Sequence, residues 1–124
     1  MPKKILVVDD GEALREMFRD MIGRLGYDVS VASNGEEALR MCEAAKFDFV
    51  LTDVDMPVMD GITFSKRLAS KEGHCPIILL MSSAVYSIEE VGEHIAFIFN
   101  KPFSRQLLNE TLQRLQEVAD LPGR

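Results

Sequence analysis

The sequence predicts an α/β protein of five successive strand–helix units, (βα)5, with a five-stranded parallel sheet covered by helices on both faces. Three observations predict it. Apolar runs of strand length recur five times along the 124 residues. Between them, apolar residues return at intervals of three and four, which places them on one face of a helix. The strand runs are apolar throughout rather than alternating, as strands are when helices cover both sides of a sheet.

Taken in order, Ile5-Leu6-Val7-Val8 is the first strand, rich in β-branched residues. Leu14, Met17, Phe18, Met21, Ile22 and Leu25 form the first helical stripe, and Gly26 stands where a left-handed residue closes a helix. Val29-Ser30-Val31 is a weaker second strand. Asn34-Gly35 reads as a turn, and Ala38, Leu39, Cys42 and Ala45 as the second stripe. Phe49-Val50-Leu51 is the third strand; it ends at Thr52-Asp53, and Met56-Pro57 breaks the chain. The third helix runs from about Gly61 to Ala69 and buries Phe64 and Leu68. Ile77 to Met81 is the fourth strand. Ser87 and Glu90 have capping-box spacing and open a short helix with Ile88, Val91 and Ile95 inward. Phe97-Ile98-Phe99 is the fifth strand. Ser104 caps the last helix, whose stripe is Leu107, Leu108, Thr111, Leu112, Leu115 and Val118. Residues 1–119 make one domain, and residues 120–124, Asp-Leu-Pro-Gly-Arg, read as a frayed tail or the start of a linker.

Composition excludes several classes. With 47% hydrophobic and 27% charged residues the balance is that of an ordinary globular chain. No apolar run approaches the ~20 residues that span a bilayer. The basic start, Met1-Pro2-Lys3-Lys4, is followed by only four apolar residues and then two acids, which is no secretory signal. The expected compartment is therefore the cytoplasm, with Cys42 and Cys75 as reduced thiols and Cys42 a small core residue on its stripe. A net charge of −6 lacks the basic footprint of direct nucleic-acid binding.

Right-handed crossovers leave few topologies for such a chain. One is the flavodoxin-like order 2-1-3-4-5, adopted here from known folds of this class and not from the pattern itself. In such sheets, sites form beyond the carboxyl ends of the strands, where the order reverses between strands 1 and 3. The polar residues of the chain gather there. Asp9 and Asp10 close strand 1, Asp53 closes strand 3, Ser82 and Ser83 close strand 4, and Lys101 closes strand 5. Three carboxylates repel one another, and one lysine does not balance them, so a hard cation such as Mg²⁺ or Mn²⁺ is expected. Magnesium held by one or two carboxylates usually also takes phosphate oxygens, and a carboxylate can itself become the nucleophile of an aspartyl phosphate. Asp53, central in the adopted order, is the candidate.

Ile5-Leu6-Val7-Val8-Asp9-Asp10, then Asp53-Val54-Asp55-Met56-Pro57-Val58-Met59-Asp60-Gly61, then Lys101-Pro102-Phe103, resemble the three signature segments of response-regulator receiver domains of two-component signalling. The resemblance covers residues 3 to about 118. It implies Asp53 as phosphoacceptor and metal ligand, Asp10 as direct metal ligand, Asp9 as a ligand through water, and Asp55 as a ligand through its backbone carbonyl. It implies Lys101 as the phosphate-contacting lysine and a cis Lys101-Pro102 bond. The strand 4 hydroxyl matches Ser82 or Ser83; Ser82 is preferred because its spacing from Pro76 is nearer the usual one. The implied partners are a histidine kinase or phosphotransfer protein on one side and a downstream protein or tethered output domain on the other. A phosphorylation-linked homodimer is left open. The implied output is a change in the face formed by the fourth and fifth helices and the fifth strand.

Two positions depart from the family pattern. Gly11 follows the acidic pair where a longer polar residue is usual, which loosens the expected start of helix 1. Three residues before Lys101, where many members carry Tyr or Phe as a phosphorylation-sensitive ring, this chain has Ile98 between Phe97 and Phe99. Each site residue also has a plain reading: Asp9-Asp10 and Asp60 as helix caps, Asp53-Val54-Asp55 as a turn, Ser82, Ser83 and Lys101 as strand-end decoration. Their joint occurrence at one sheet end argues against it. Two other functions use similar parts. A receiver-like docking module without phosphorylation would have lost Asp53, Asp10 or Lys101, and none is lost. An aspartyl-nucleophile phosphatase of the haloacid dehalogenase type places its nucleophile before the acidic pair, the reverse of the order here. The resemblance therefore implies a regulatory phosphoacceptor, with only self-catalysed phosphoryl transfer and dephosphorylation. His74 and His94 read as isolated surface or boundary residues, and Met56 and Met59 as packing.

Overall fold

The computed structural model describes residues 2–120. Five units alternate as expected: β1 (Lys4–Val8), α1 (Glu12–Arg24), β2 (Asp28–Ala32), α2 (Gly35–Ala44), β3 (Phe49–Asp53), α3 (Gly61–Ser70), β4 (Ile77–Ser82), α4 (Ile88–Val91), β5 (Ile95–Asn100) and α5 (Arg105–Ala119). All strands are parallel, in the order β2-β1-β3-β4-β5. Register at the carboxyl ends pairs Val8 with Thr52, Asp53 with Met81, and Ser82 with Asn100. The tips of β1, β3, β4 and β5 are thereby level.

Side chains alternate across the sheet, so each strand feeds two cores. Leu6, Val8, Val50, Ile78 and Leu80 pack with Ala38 and Leu39 of α2, Phe64 and Leu68 of α3 and Val91 of α4. Ile5, Val7, Phe49, Leu51, Leu79, Met81 and Phe99 pack with Phe18 and Ile22 of α1 and Leu108 and Leu112 of α5. Full burial of a side chain such as Phe64 or Ile22 stabilises by roughly 1.5–3 kcal/mol. β1, β3 and β4 lie inside the sheet, which is why their runs are apolar without alternation.

Four helices start on a side-chain cap. Asn34, Asp60, Ser87 and Ser104 accept hydrogen bonds from the amides of Glu37, Thr63, Glu90 and Leu107, each worth about 1 kcal/mol. Helix α1 has Gly11 at its N-cap and no side-chain cap. At its other end Gly26 takes φ +99°, the left-handed closure its position implied.

Some expectations are corrected. Asn34-Gly35 is not a free-standing turn but the capped start of α2. Ala45 lies beyond α2 and is exposed, because the helix ends one residue earlier. Ile95 is buried as the first residue of β5, since α4 spans a single turn. Leu14, Met17, Ile88, Leu107 and Val118 lie on predicted stripes yet are exposed, because each helix meets the sheet along a narrower strip than its apolar periodicity covers. Phe97 is also exposed, on the edge strand. The histidines lie at the surface and the boundary as expected, His74 exposed and His94 half-buried, but each has a partner: His74 Nε2 is 2.7 Å from the Phe47 carbonyl, and His94 Nε2 is 3.2 Å from Ser65 Oγ on α3. Cys42 packs half-buried against the α2–α3 core, and burial pushes its thiol up to about 11. Of the expected tail, Asp120 accepts a 2.9 Å bond from Lys3 Nζ; residues 121–124 lie outside the described residues.

Candidate functional site

At the carboxyl end of the sheet the chain leaves β1 through Asp9, which is 1% exposed. Its amide donates to the Ala32 carbonyl at 3.1 Å, and its Oδ1 accepts from the Gly11 amide at 2.8 Å. Its Oδ2 is buried and has no hydrogen-bond partner among the described residues. Asp10 follows with an exposed side chain. Asp53, the last residue of β3, is 7% exposed.

Lys101 follows β5 directly. Its amide donates to the Ser82 carbonyl at 2.8 Å, tying it to the tip of β4. The Lys101-Pro102 bond is cis, and Phe103 beyond it packs on Phe99 and Phe18 at ring separations of 4.8 and 6.1 Å. From this anchored base the ammonium stands 3.2 Å from Asp53 Oδ1 and 4.0 Å from Asp9 Oδ2. Carboxylate oxygens of Asp9, Asp10 and Asp53 lie within 4.8 Å of one another.

The connection from Asp53 to α3 is tight. Val54 donates to Met81 at 3.0 Å, and Gly61 donates to Val54 at 2.8 Å. A Cβ on Gly61 would stand 2.1 Å from the Asp53 carbonyl oxygen, so only glycine lets α3 begin this close to the strand tip. Between them Asp55 exposes its side chain, and Val58 takes φ +71°, a costly conformation for a β-branched residue.

On β4, Ser82 is fully buried and its Oγ accepts from the Ala84 amide at 2.9 Å, whereas Ser83 is exposed. Ile98 pairs with Leu80 and packs half-buried on the α2–α3–α4 side. Ser82 stands two residues beyond Leu80 and therefore shares that face.

The electrostatics follow. Burial pushes the Asp53 carboxyl above its ordinary range, and the Lys101 bond and charge oppose this. Three carboxylates against one ammonium leave two negative charges uncompensated in a partly buried space. An unbonded buried carboxylate oxygen is costly, and Asp9 Oδ2 is such an atom. The donor set is all oxygen and anionic, the preference of Mg²⁺ and Mn²⁺. The residues present fit a divalent hard cation.

Sequence reasoning placed Asp9, Asp10, Asp53, Ser82 and Lys101 at this end; the fold gathers the side chains of Asp9, Asp10, Asp53 and Lys101, and ties Ser82 to Lys101 through its backbone carbonyl. It missed Arg15, whose guanidinium donates to the Asp9 carbonyl at 2.9 Å. Nothing in an arginine on a helical pattern signals that contact. The Gly61 approach had a signal, the Asp60-Gly61 pair inside a signature segment. A cavity of about 580 Å³ lies at the opposite end of the sheet among Cys42, Lys71 and His74, away from the carboxylates. An open apolar groove of about 520 Å³ flanks Lys101 instead, lined by Leu14, Met17, Met21 and Phe103.

Residues 5–113 match the response regulator receiver domain. The chain is 36% identical over 124 residues to the alkaline phosphatase synthesis transcriptional regulatory protein PhoP of Bacillus subtilis, covering 96% of this chain and 52% of that protein. It thus spans about half the length of that relative. It is 31% identical over 119 residues to the chemotaxis protein CheY of Pseudomonas aeruginosa, covering 92% of this chain and 96% of that one. Among solved structures, the response regulator TrrA of Thermotoga maritima in complex with Mg(2+)-BeF superposes with a TM-score of 0.83 at 29% identity, covering 91% of this chain and 98% of that chain. Sheet order, the acidic strand tips with their lysine, and a match over most of the sequence agree: the chain belongs to the response regulator receiver domains of two-component systems.

Proposed function

We propose that this receiver domain is a phosphorylation-controlled switch that accepts a phosphoryl group on Asp53 from a phosphohistidine of a histidine kinase or phosphotransfer protein. The observation that carries the reading is the placement of Lys101, 3.2 Å from Asp53 and 4.0 Å from Asp9, above three clustered carboxylates. An oxygen of Asp53 attacks phosphorus in line; the new P–O bond forms as the P–N bond breaks, and the imidazole leaves. Lys101 neutralises charge on the transferring oxygens from a fixed position. Asp10, Asp53, Asp9 and the Asp55 carbonyl would hold a divalent cation, Mg²⁺ or in its place Mn²⁺, which when bound supplies the remaining positive charge. The apolar groove beside Lys101 suits a phosphodonor that must bury its reacting end out of water.

The output is a changed surface rather than a released product. The Ser82 hydroxyl, now held by the Ala84 amide, turns to the phosphoryl group and frees the loop before α4. The α4-β5-α5 face carries exposed Ile88, Phe97 and Leu107 for a downstream protein or a tethered domain. Hydrolysis of the acyl phosphate resets the state. We place the domain at residues 1–119 and in the cytoplasm; no described helix is long and apolar enough to cross a membrane.

The test is intact mass spectrometry after incubation with Mg²⁺ and acetyl phosphate. One phosphoryl mass is expected, and Asp53→Asn removes it. Full labelling of that variant at another residue overturns the assignment.

A further inference from the structure

Asp9 is held at every polar atom except one. Its amide is bound to Ala32, its Oδ1 to the Gly11 amide and its carbonyl to Arg15 Nη1, while Oδ2, 4.0 Å from Lys101 Nζ, has no hydrogen-bond partner among the described residues. Arg15 is the one side chain in this set of ties. It reaches back six residues from α1, the helix that lacks a side-chain cap because Gly11 occupies the N-cap. The other four helices are each anchored at their start by Asn, Asp or Ser. In α1 the half-buried guanidinium cannot accept from the first amides as those caps do; it donates instead to a carbonyl, tying the helix to the backbone of a cluster carboxylate.

We infer that Arg15 is a positioning residue for the cation site: by fixing the Asp9 carbonyl it holds Asp9 Oδ2 in place for the ion that Asp9, Asp10 and Asp53 would share. The inference rests on the metal-site reading above. Partners that orient metal ligands typically change affinity 10–100-fold when removed. The sign separates positioning from simple charge. Arg15 is a cation near a cation site, so its removal on electrostatic grounds alone tightens Mg²⁺ binding. Positioning requires the opposite.

The experiment is calorimetric titration of the intact chain with Mg²⁺ alone, with thermal unfolding of each metal-free variant recorded alongside. Arg15→Met, which keeps the aliphatic stem, weakens Mg²⁺ binding about 10-fold, and Arg15→Lys recovers part of the loss. Arg19→Met removes the same charge from an exposed position of α1, whose contact is Glu16 at 3.8 Å, and leaves the affinity within about twofold. Unchanged or tighter binding by a folded Arg15→Met protein overturns the inference, as does an equal loss in Arg19→Met. Absence of Mg²⁺ binding by the unsubstituted chain instead removes the metal-site reading beneath it.

Discussion

The tips of β1 and β3 and the stretch from Ser82 to His94 lie side by side, yet they are built in opposite ways. At the first, Asp9 and Asp53 are buried, Asp9 is tied at three of its polar atoms, and α3 begins against the Asp53 carbonyl. At the second, Ser83, Ala84 and Val85 are exposed, α4 is one turn long, and the side-chain ties are those of Ser82 to Ala84, Ser87 to Glu90 and Ser65 to His94. Net stabilisation per such bond is about 1 kcal/mol. A single new bond to Ser82 is therefore comparable to any one of the side-chain ties of the segment, whereas moving the acid tip requires breaking several bonds and repacking two cores. On the proposed function, the chemistry that needs fixed geometry falls on the more heavily tied part, and the part proposed to change meets it at Ser82.

The strongest way to break this contrast is Gly61→Ala. A methyl group 2.1 Å from the Asp53 carbonyl forces α3 or the strand tip to shift, with an expected loss of at least about 2 kcal/mol in urea unfolding and much slower phosphoryl uptake. Tolerance on both measures would show that the acid tip is not rigid. Next comes the serine pair. Ser82→Ala keeps phosphoryl uptake but suppresses the phosphorylation-dependent change in amide exchange over residues 83–95, and costs about 1 kcal/mol through the orphaned Ala84 amide. Ser83→Ala, exposed, alters neither; the reverse pattern would reassign the hydroxyl.

The smallest effect sharpens the contrast through pH. Burial, with Lys66 nearby, lowers the His94 pKa from its usual value near 6.5, so the folded state favours the neutral ring. The stability His94 contributes is present above that usual value and is lost as pH falls through the lower folded one. Exchange of the 92–95 amides, corrected for intrinsic rate, speeds as pH falls from about 7.5 to about 5.5, and His94→Gln flattens the profile. A flat profile in the unsubstituted protein would remove His94 from the ties of this segment.

Much of this was legible beforehand, for local reasons. Apolar periodicity is a property of neighbouring residues, so strand and helix identities, the Gly26 closure and the Ser87 and Ser104 caps could be read directly. The sheet order came through resemblance, since pattern alone does not order parallel strands. Boundaries failed where length decided them, as with Ile95, which continues the α4 stripe but belongs to β5.

What the sequence determined by itself is the inventory: which strands end in acid, hydroxyl or amine, and that these ends share one side of the sheet, because parallel strands joined by crossovers all point the same way. What the tertiary structure decided is who meets whom. Lys101 lies nearer Asp53 than Asp9, Ser82 is inside and Ser83 outside, Arg15 grips the Asp9 backbone, and His94 reaches Ser65. Each of these depends on register across strands and on where a helix lands, distances set by packing between residues remote in the chain.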